Sequence, residues 1–299
     1  MTGIRRNSEP APLNALVLGG GGPAGASWTS AFLHGLASGG LPPDAFGTVM
    51  GTSAGAAAGA WLTMRPEALP GVAERMRERA ASRAGAPGRG QVDTDLVRRA
   101  LDRSTRGGES ALDVARAAVA AMPPISADAA LSTWAAALPE GAWPRRLRVT
   151  AVDARTGRAS VWSARDDIPL AVAVAASTAA PGVSPPVEIA GSVWVDGGVR
   201  SNTNADLLLE IGDHDGEGRA VPAGKPGRVL VLAPRPTAGL AREADLLVAH
   251  GYRVRVVGAS PLHMTPAGLL DPRVVDAAAA TGSVQAHDLA GELAEWWYG

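Results

Sequence analysis

The fold is decided by the stretch Phe46-Gly47-Thr48-Val49-Met50-Gly51-Thr52-Ser53-Ala54-Gly55, which is followed by small residues up to Met64. The apolar run from Phe46 to Met50 predicts a strand, and the residues from Ala56 to Met64 predict a helix. A Gly-x-Ser-x-Gly motif between a strand and a helix puts its serine at the tip of a tight turn, where Gly51 and Gly55 leave room for the backbone. On these residues alone, Ser53 is either an exposed nucleophile or a helix-capping residue.

The residues before this stretch predict a second strand and a helix. Residues 14–18 are an apolar run that ends in glycines, residues 19–26 favour a loop, and residues 27–38 favour a helix. Strand, helix and strand over about 35 residues are typical of a right-handed βαβ unit. The sequence therefore predicts an α/β fold with a parallel sheet.

The rest of the chain predicts one domain over residues 13–299, after a disordered tail over residues 1–12. Residues 65–143 have helical patterns and no predicted strand, which favours a helical insertion or cap that flanks the Ser53 turn. The later part alternates strands and helices. The predicted strands cover 146–152, 159–162, 192–195, 228–233 and 253–257, and the predicted helices cover 168–179, 240–250 and 283–297.

Composition excludes several classes of protein. The net charge is −1 and no segment concentrates basic residues, so nucleic acid is not an expected partner. The absence of cysteine excludes disulfides, thiolate metal sites and cysteine nucleophiles, and we expect neither a metal nor a cofactor. The first residues lack the apolar region of a secretory signal, and no apolar run reaches the ~20 residues of a membrane span. We therefore expect a cytoplasmic protein.

The glycine loop after the first strand allows two hypotheses. Gly20-x-Gly22-x-x-Gly25 formally matches the dinucleotide fingerprint, which would make the chain a nucleotide-binding protein. Against this, the second strand ends in Met50 and Gly51 instead of an acidic residue, and Pro23 has no N–H for a pyrophosphate. The other hypothesis is an oxyanion hole, in which the backbone N–H groups of Gly20, Gly21 and Gly22 stabilise negative charge during acyl transfer.

A serine nucleophile needs a base. Of the five histidines, those that follow the serine in the order of α/β hydrolases are His250, His263 and His287. His250 ends a predicted helix, His287 lies within one, and His263 lies in a proline-flanked loop. Each fits a structural or surface role better than a catalytic one, and His263 is the best of the three candidates for a catalytic base.

Three ordered motifs resemble the patatin-like phospholipase family: the glycine loop to Gly25, the Ser53 motif, and Asp196-Gly197-Gly198 followed by Asn202. Further similarity covers Ala176 to Pro181, 149–153 and 269–272. The resemblance implies a three-layer α/β/α fold with a helical insertion after the nucleophile helix. It also implies a Ser-Asp dyad without histidine, in which Ser53 is the nucleophile, Asp196 is the base, and the glycine loop is the oxyanion hole.

Asp196 has a second interpretation from the residues themselves, as a turn aspartate in an Asp-Gly hairpin. An aspartate with its usual pKa of ~3.9 is a weak base at neutral pH unless burial raises that pKa. Gly197 and Gly198 can bend the chain sharply enough to aim the carboxylate at a nearby hydroxyl. One departure from the family is Ala24, where Arg or Lys is usual, and it motivates the alternative of a catalytically weak scaffold.

The expected substrate is a lipid, phospholipid or related acyl ester. The helix face formed by Trp28, Phe32 and Leu36 would either line the acyl site or belong to the core. Trp296-Trp297-Tyr298 is expected to dock on the body or on a second subunit. Peripheral membrane contact is the less favoured alternative, because Glu292 and Glu295 would be repelled by anionic lipid.

Overall fold

The computed structural model describes residues 14–84, 92–106, 109–211, 226–259 and 271–299. The tail predicted over residues 1–12 lies outside these ranges.

One mixed sheet forms the centre of the described structure. Its spatial order is β3-β6-β7-β4-β2-β1-β8-β9, with β5 beside β4. Neighbouring pairs among β4, β2, β1, β8 and β9 are parallel, whereas β5 and β7 run antiparallel to β4. The strands are β1 (Ala15–Leu18), β2 (Thr48–Thr52), β3 (Ile125–Ser126), β4 (Leu147–Asp153), β5 (Ala159–Trp162), β6 (Val187–Ile189), β7 (Ser192–Asp196), β8 (Arg228–Ala233) and β9 (Arg253–Gly258).

Helices cover both faces of this sheet. They are α1 (Gly22–Ser38), α2 (Ala54–Met64), α3 (Val72–Ala84), α4 (Thr94–Arg106), α5 (Ala111–Ala121), α6 (Ala127–Trp134), α7 (Leu170–Ser177), α8 (Ala238–Ala249) and α9 (Val275–Tyr298). Leu16 and Leu18 of β1 pack in one core with α1, α2 and α9. Ala15 and Val17 pack in another core with α8, because successive strand residues point to opposite faces. The predicted three-layer α/β/α fold with a mostly parallel sheet is confirmed.

The span between α2 and β4 is mainly helical, and it contacts both sides of the sheet. Helix α3 packs against α1 and α9, whereas α4 packs against α5 and α8. The expectation that this span contains no strand was wrong, because Ile125–Ser126 pairs with β6 as β3. Two residues are too few to show the alternation from which a strand is predicted.

Helix α9 extends along α1 and begins eight residues before the predicted start. Gly282 lies inside it, and a glycine in a helical pattern weakens the local signal. Contact with α1 explains the glycine, since a Cβ at Gly282 would lie 2.4 Å from the Trp28 carbonyl oxygen. No helix in the described part of the chain combines the length and the apolar character that crossing a bilayer requires.

Of the three aromatic residues at the end of α9, the two tryptophans dock on the body, as predicted. Trp297 is 3% exposed, and its ring meets that of Phe46 edge-on with 4.9 Å between centroids. Trp296 is partly buried beside it, and Tyr298 is exposed. The helix face of Trp28, Phe32 and Leu36 is also core, because all three side chains are buried in the layer that contains α9.

Candidate active site

Ser53 occupies a strained turn between β2 and α2. Its φ of 55° and ψ of −122° lie in a region that non-glycine residues rarely adopt. Both motif glycines are required by close contacts. A Cβ at Gly51 would lie 2.5 Å from the Ala56 Cα, and a Cβ at Gly55 would lie 2.0 Å from the Leu18 carbonyl oxygen. The turn is therefore packed directly against the end of β1.

Strand register brings Ser53 and Asp196 together. Thr52, which precedes Ser53, lies opposite Thr150 of β4, and Asp196 at the end of β7 lies opposite the next residue, Ala151. Because β2 and β7 run in opposite directions along β4, their C-terminal ends meet. The Ser53 Oγ donates a hydrogen bond to the Asp196 Oδ2 at 2.7 Å.

The Asp196 carboxyl group is held by two donors. Its Oδ1 accepts a hydrogen bond from the Gly198 N–H at 2.7 Å, while Oδ2 accepts from Ser53. Gly197 lies where the chain passes Thr150, since a Cβ there would lie 2.5 Å from the Thr150 Oγ1. The carboxyl group follows a strand and points at the serine, so the alternative of a hairpin-turn aspartate does not describe it.

Burial changes the acidity of Asp196. The residue is 5% exposed, and desolvation raises its pKa from 3.8 to about 7. The hydrogen bonds from Ser53 and Gly198 favour the carboxylate and act in the opposite direction. A carboxyl group with a pKa near 7 can both accept and return a proton at neutral pH.

The glycine loop is shorter than predicted, because α1 begins at Gly22 with Pro23 in its first turn, where a missing N–H is tolerated. The Gly20 N–H donates to the Asn202 carbonyl oxygen at 2.8 Å, so the prediction that Gly20 is an oxyanion donor was wrong. Gly20 instead provides space, since a Cβ there would lie 3.1 Å from the Ser53 Cβ. Within the described residues, the N–H groups of Gly21 and Gly22 have no acceptor, and both glycines border the cavity of Ser53.

Gly25 lies one turn into α1, and its N–H donates to the Gly21 carbonyl oxygen at 2.8 Å. The Cα of Gly25 leaves no room for a side chain on Gly21, because a Cβ there would lie 2.9 Å from it. Ala24 is fully buried in the core, so the departure from the family at this position places no side chain in the cavity.

The loop from Ser201 to Ala205 fixes both the glycine loop and the Ser53 strand. Asn202 accepts from the Gly20 N–H through its carbonyl oxygen and donates its side-chain amide to the Gly20 carbonyl oxygen at 3.1 Å. The side-chain amide of Asn204 donates to the Thr52 Oγ1 at 3.2 Å. These contacts join the two motifs that meet at the cavity.

Glu243 of α8 anchors this loop and is a residue that the sequence did not identify. It is 8% exposed, and its carboxyl oxygens accept from the Ser201 Oγ, from the Thr203 Oγ1 at 2.6 Å and from the Ala205 N–H at 2.8 Å. Nothing in the local sequence marks it, because an acidic residue in a helix is usually exposed. The role of Ser177 was also not predicted. Its Oγ accepts a hydrogen bond from the Ser53 N–H at 2.9 Å.

The described histidines lie away from Ser53. His34, His250 and His287 are exposed, and none of them borders a described cavity next to Ser53. His250 ends α8, where its Nδ1 lies 2.8 Å from the Leu246 carbonyl oxygen. His214 and His263 lie outside the described residues. Among the described residues, no group of three or more potential ligands could hold a metal ion.

Two cavities meet at Ser53, and they share Gly22, Ser53, Ala180 and Val183. We call the first the α4 arm, because it extends to Val97, Ala100 and Leu101 of α4; Asp196 and Asn202 also border it. We call the second the α3 arm. It is bordered by residues of α1, α2, α3 and α6, among them Ala26, Ala54, Ala57, Met76, Arg79 and Trp134.

Comparison with known proteins identifies one family. The family described as "Patatin-like phospholipase" matches residues 16–209, which include the glycine loop, Ser53 and Asp196. No curated protein matches the chain. Among solved structures, VipD from Legionella pneumophila is 13% identical with a TM-score of 0.47, over 95% of this chain and 68% of VipD. The type III effector protein ExoU is 15% identical with a TM-score of 0.39, over 96% of this chain and 54% of ExoU.

Proposed function

The chain belongs to the patatin-like phospholipase family, and on this premise we propose that it is a serine acyl hydrolase that cleaves carboxylic esters of lipids or phospholipids. The observation that supports this most directly is the 2.7 Å hydrogen bond from the Ser53 Oγ to the buried Asp196 carboxyl group. The cavity at this pair has Gly21 and Gly22 on its border.

In the proposed first step, Asp196 removes the Ser53 hydroxyl proton as the Oγ attacks the carbonyl carbon of the ester. The carbonyl oxygen becomes negative, and the N–H groups of Gly21 and Gly22 stabilise it. Asp196 then gives the proton to the oxygen of the leaving alcohol, and the C–O bond breaks to leave an acyl-Ser53. In the second half, Asp196 deprotonates a water whose oxygen attacks the acyl carbon. The bond from that carbon to the Ser53 Oγ then breaks, the carboxylic acid leaves, and Asp196 returns the proton to the Oγ.

A fluorophosphonate probe tests the assignment of the nucleophile. We expect the probe to label Ser53, and Ser53→Ala to lose both labelling and hydrolysis of p-nitrophenyl esters. Ser132→Ala is the matched control, because Ser132 is an exposed serine whose hydroxyl bonds only within α6. Labelling that survives in Ser53→Ala would overturn the assignment.

Two alternatives have their own tests. Ala24 motivates a catalytically weak scaffold, which turnover of short p-nitrophenyl esters would exclude. Gly20, Gly22 and Gly25 motivate a nucleotide-binding protein, which would be stabilised against heat by NAD or NADP. Family membership favours the hydrolase over the nucleotide-binding protein. The hydrogen bond from the Ser53 Oγ to the Asp196 Oδ2 favours it over the weak scaffold.

A further inference from the structure

We propose that the two arms divide the substrate at Ser53, so that the acyl chain lies in the α3 arm and the leaving alcohol lies in the α4 arm. This inference rests on the proposed function and assigns its specificity-determining residues. It follows from the position of the base and from the chemistry of the two walls.

The transfer of the proton determines in which arm the leaving alcohol lies. After Ser53 attacks, the proton resides on Asp196 and must reach the oxygen of the leaving alcohol, which requires that oxygen within hydrogen-bond reach. Among the described residues, Asp196 borders the α4 arm and is absent from the border of the α3 arm. The alcohol therefore leaves through the α4 arm.

The four bonds of the former carbonyl carbon, which is tetrahedral after the attack, determine in which arm the acyl chain lies. One bond joins the Ser53 Oγ, a second joins the oxygen that faces Gly21 and Gly22, and a third joins the leaving oxygen on the side of Asp196. The fourth bond, to the acyl chain, takes the direction that is left. The α3 arm is the second described cavity at the same serine, since it shares Gly22, Ser53, Ala180 and Val183 with the α4 arm, and we assign the acyl chain to it.

The wall of the α3 arm suits a hydrocarbon chain. Ala57 is 2% exposed, Met76 5% and Trp134 6%, so the buried part of the wall is apolar. Arg79 is the charged, half-buried member of the wall. Its guanidinium stacks on the Trp134 ring at 3.8 Å from the centroid, and its Nη1 donates to the Thr133 carbonyl oxygen at 3.2 Å.

Arg79 and Trp134 thereby set a limit on acyl length. A guanidinium that is stacked and hydrogen-bonded is not readily displaced, and hydrocarbon packed against it would remove it from water at a cost in free energy. Chains long enough to pack against this pair are disfavoured relative to shorter chains that contact only the apolar part of the wall.

The test uses two ester series. In the first, the acyl chain of p-nitrophenyl esters is lengthened from acetate to palmitate; in the second, butyrate is esterified to alcohols of increasing size. Ala57→Leu narrows the α3 arm, and we expect it to lower the octanoate-to-acetate ratio of kcat/KM by about tenfold or more. Arg79→Ala removes the limit and should raise the palmitate-to-octanoate ratio.

Ala100→Leu narrows the α4 arm and should shift the alcohol series instead. Ala241→Leu is the matched control, because Ala241 is an exposed alanine of α8 outside both arms, and it should move neither ratio. If Ala57→Leu does not fold, Arg79→Ala decides the question, since Arg79 is half-exposed.

Reversed effects, with Ala57→Leu acting on the alcohol series and Ala100→Leu on the acyl series, would overturn the assignment, as would no effect on either series. Both results require hydrolysis by the unsubstituted protein. Failure of the proposed function is a different outcome, in which the unsubstituted protein neither hydrolyses esters nor reacts with the probe.

Discussion

At the scale of single residues, the site depends on one carboxyl group whose acidity is set by its surroundings. Asp196 combines near-complete burial with hydrogen bonds from Ser53 and Gly198, and burial dominates because it raises the pKa to about 7. From the sequence alone, burial was named as the condition for Asp196 to act as a base, but the burial itself could not be predicted, since the desolvation arises from segments that are remote in the chain.

Activity should follow the deprotonation of this group. A base must be unprotonated to accept the serine proton, so we expect kcat/KM for a short ester to increase with pH and to reach half of its plateau near pH 7. A rate profile between pH 4 and pH 9 measures this. A midpoint near 4 would mean that burial does not govern the base.

Asp196→Asn should separate catalysis from stability. Without the base, we expect hydrolysis to fall by about a hundredfold to ten-thousandfold. The pKa of Asp196 is raised in the folded state, so its contribution to stability is present below pH 4 and is lost as the pH rises through 7.

The substitution removes that loss. We compare the free energy of unfolding of Asp196→Asn with that of the unsubstituted protein at each pH. The difference should be more favourable to the variant at pH 8 than at pH 5 by roughly 2 to 3 kcal/mol. Denaturant unfolding at the two pH values measures the difference. An equal effect at both values would contradict the raised pKa.

At the scale of secondary-structure elements, the Ser53 turn is held by backbone contact between α2 and β1. Gly55→Ala places a Cβ 2.0 Å from the Leu18 carbonyl oxygen, which neither backbone can accommodate without moving. We expect a loss of about 1–3 kcal/mol or more in unfolding free energy and slower labelling of Ser53. Thermal unfolding and probe kinetics measure the two effects.

Gly291→Ala is the matched substitution. Gly291 is an exposed glycine inside α9, and a Cβ there meets nothing within 4 Å. We expect it to be neutral or to stabilise by up to about 1 kcal/mol, because alanine is the better helix residue. A comparable loss in both variants would mean that the Leu18 contact is not the cause.

Glu243 of α8 should stabilise the loop from Ser201 to Ala205. In Glu243→Gln, the amide nitrogen cannot accept a hydrogen bond, so one or more of the buried donors of Ser201, Thr203 and Ala205 is left without a partner. We expect a loss of about 1–3 kcal/mol and a lower kcat, because the Asn202 contact to Gly20 loosens. Asp245→Asn, an exposed acid of the same helix, should change neither quantity.

The elements around Ser53 were well predicted, and the reasons are local. The apolar runs of β1 and β2 end in glycines, and the small residues of α2 follow directly. The errors lie elsewhere. Strand β3 is defined by its pairing with β6, and α1 begins earlier than predicted because Pro23 suits a first turn. The Gly20 N–H is not available as an oxyanion donor, because it donates to the Asn202 carbonyl oxygen.

At the scale of the whole molecule, α1 and α9 form one outer layer through small residues. Ala286 and Ala290 of α9 pack against Gly35 and Gly39, where an added Cβ would lie 2.4 Å and 2.2 Å from the alanine Cβ atoms. The same layer buries Trp297 against Phe46, which lies just before β2. A segment remote in sequence thus supports the residues that lead into β2 and the Ser53 turn.

Trp297→Ala should destabilise the protein by about 3–5 kcal/mol, as expected for a large buried side chain. Molecules that remain folded should still react with the probe, because Trp297 borders neither arm. Tyr298→Ala removes an exposed ring next to it and should have a much smaller effect. Equal effects would show that the Phe46 contact contributes little.

Sequence motifs predicted which residues gather at the site, whereas the division of the cavity could not be predicted. The three motifs carry Ser53, Asp196 and the glycines in the family's order. Besides α1 and α2, the arms are bordered by α3, α4 and α6, and the sequences of these three helices give no sign of which face meets the cavities.

The backbone of Ser53 has a practical consequence for anyone who purifies this protein. A serine at φ 55° keeps that strained conformation only while the folded structure around it holds the turn, here through the close contacts of Gly51 with Ala56 and of Gly55 with Leu18. The fraction of a preparation that reacts with a fluorophosphonate should therefore report the fraction that is natively folded, which makes the reagent an assay of sample quality as well as of chemistry.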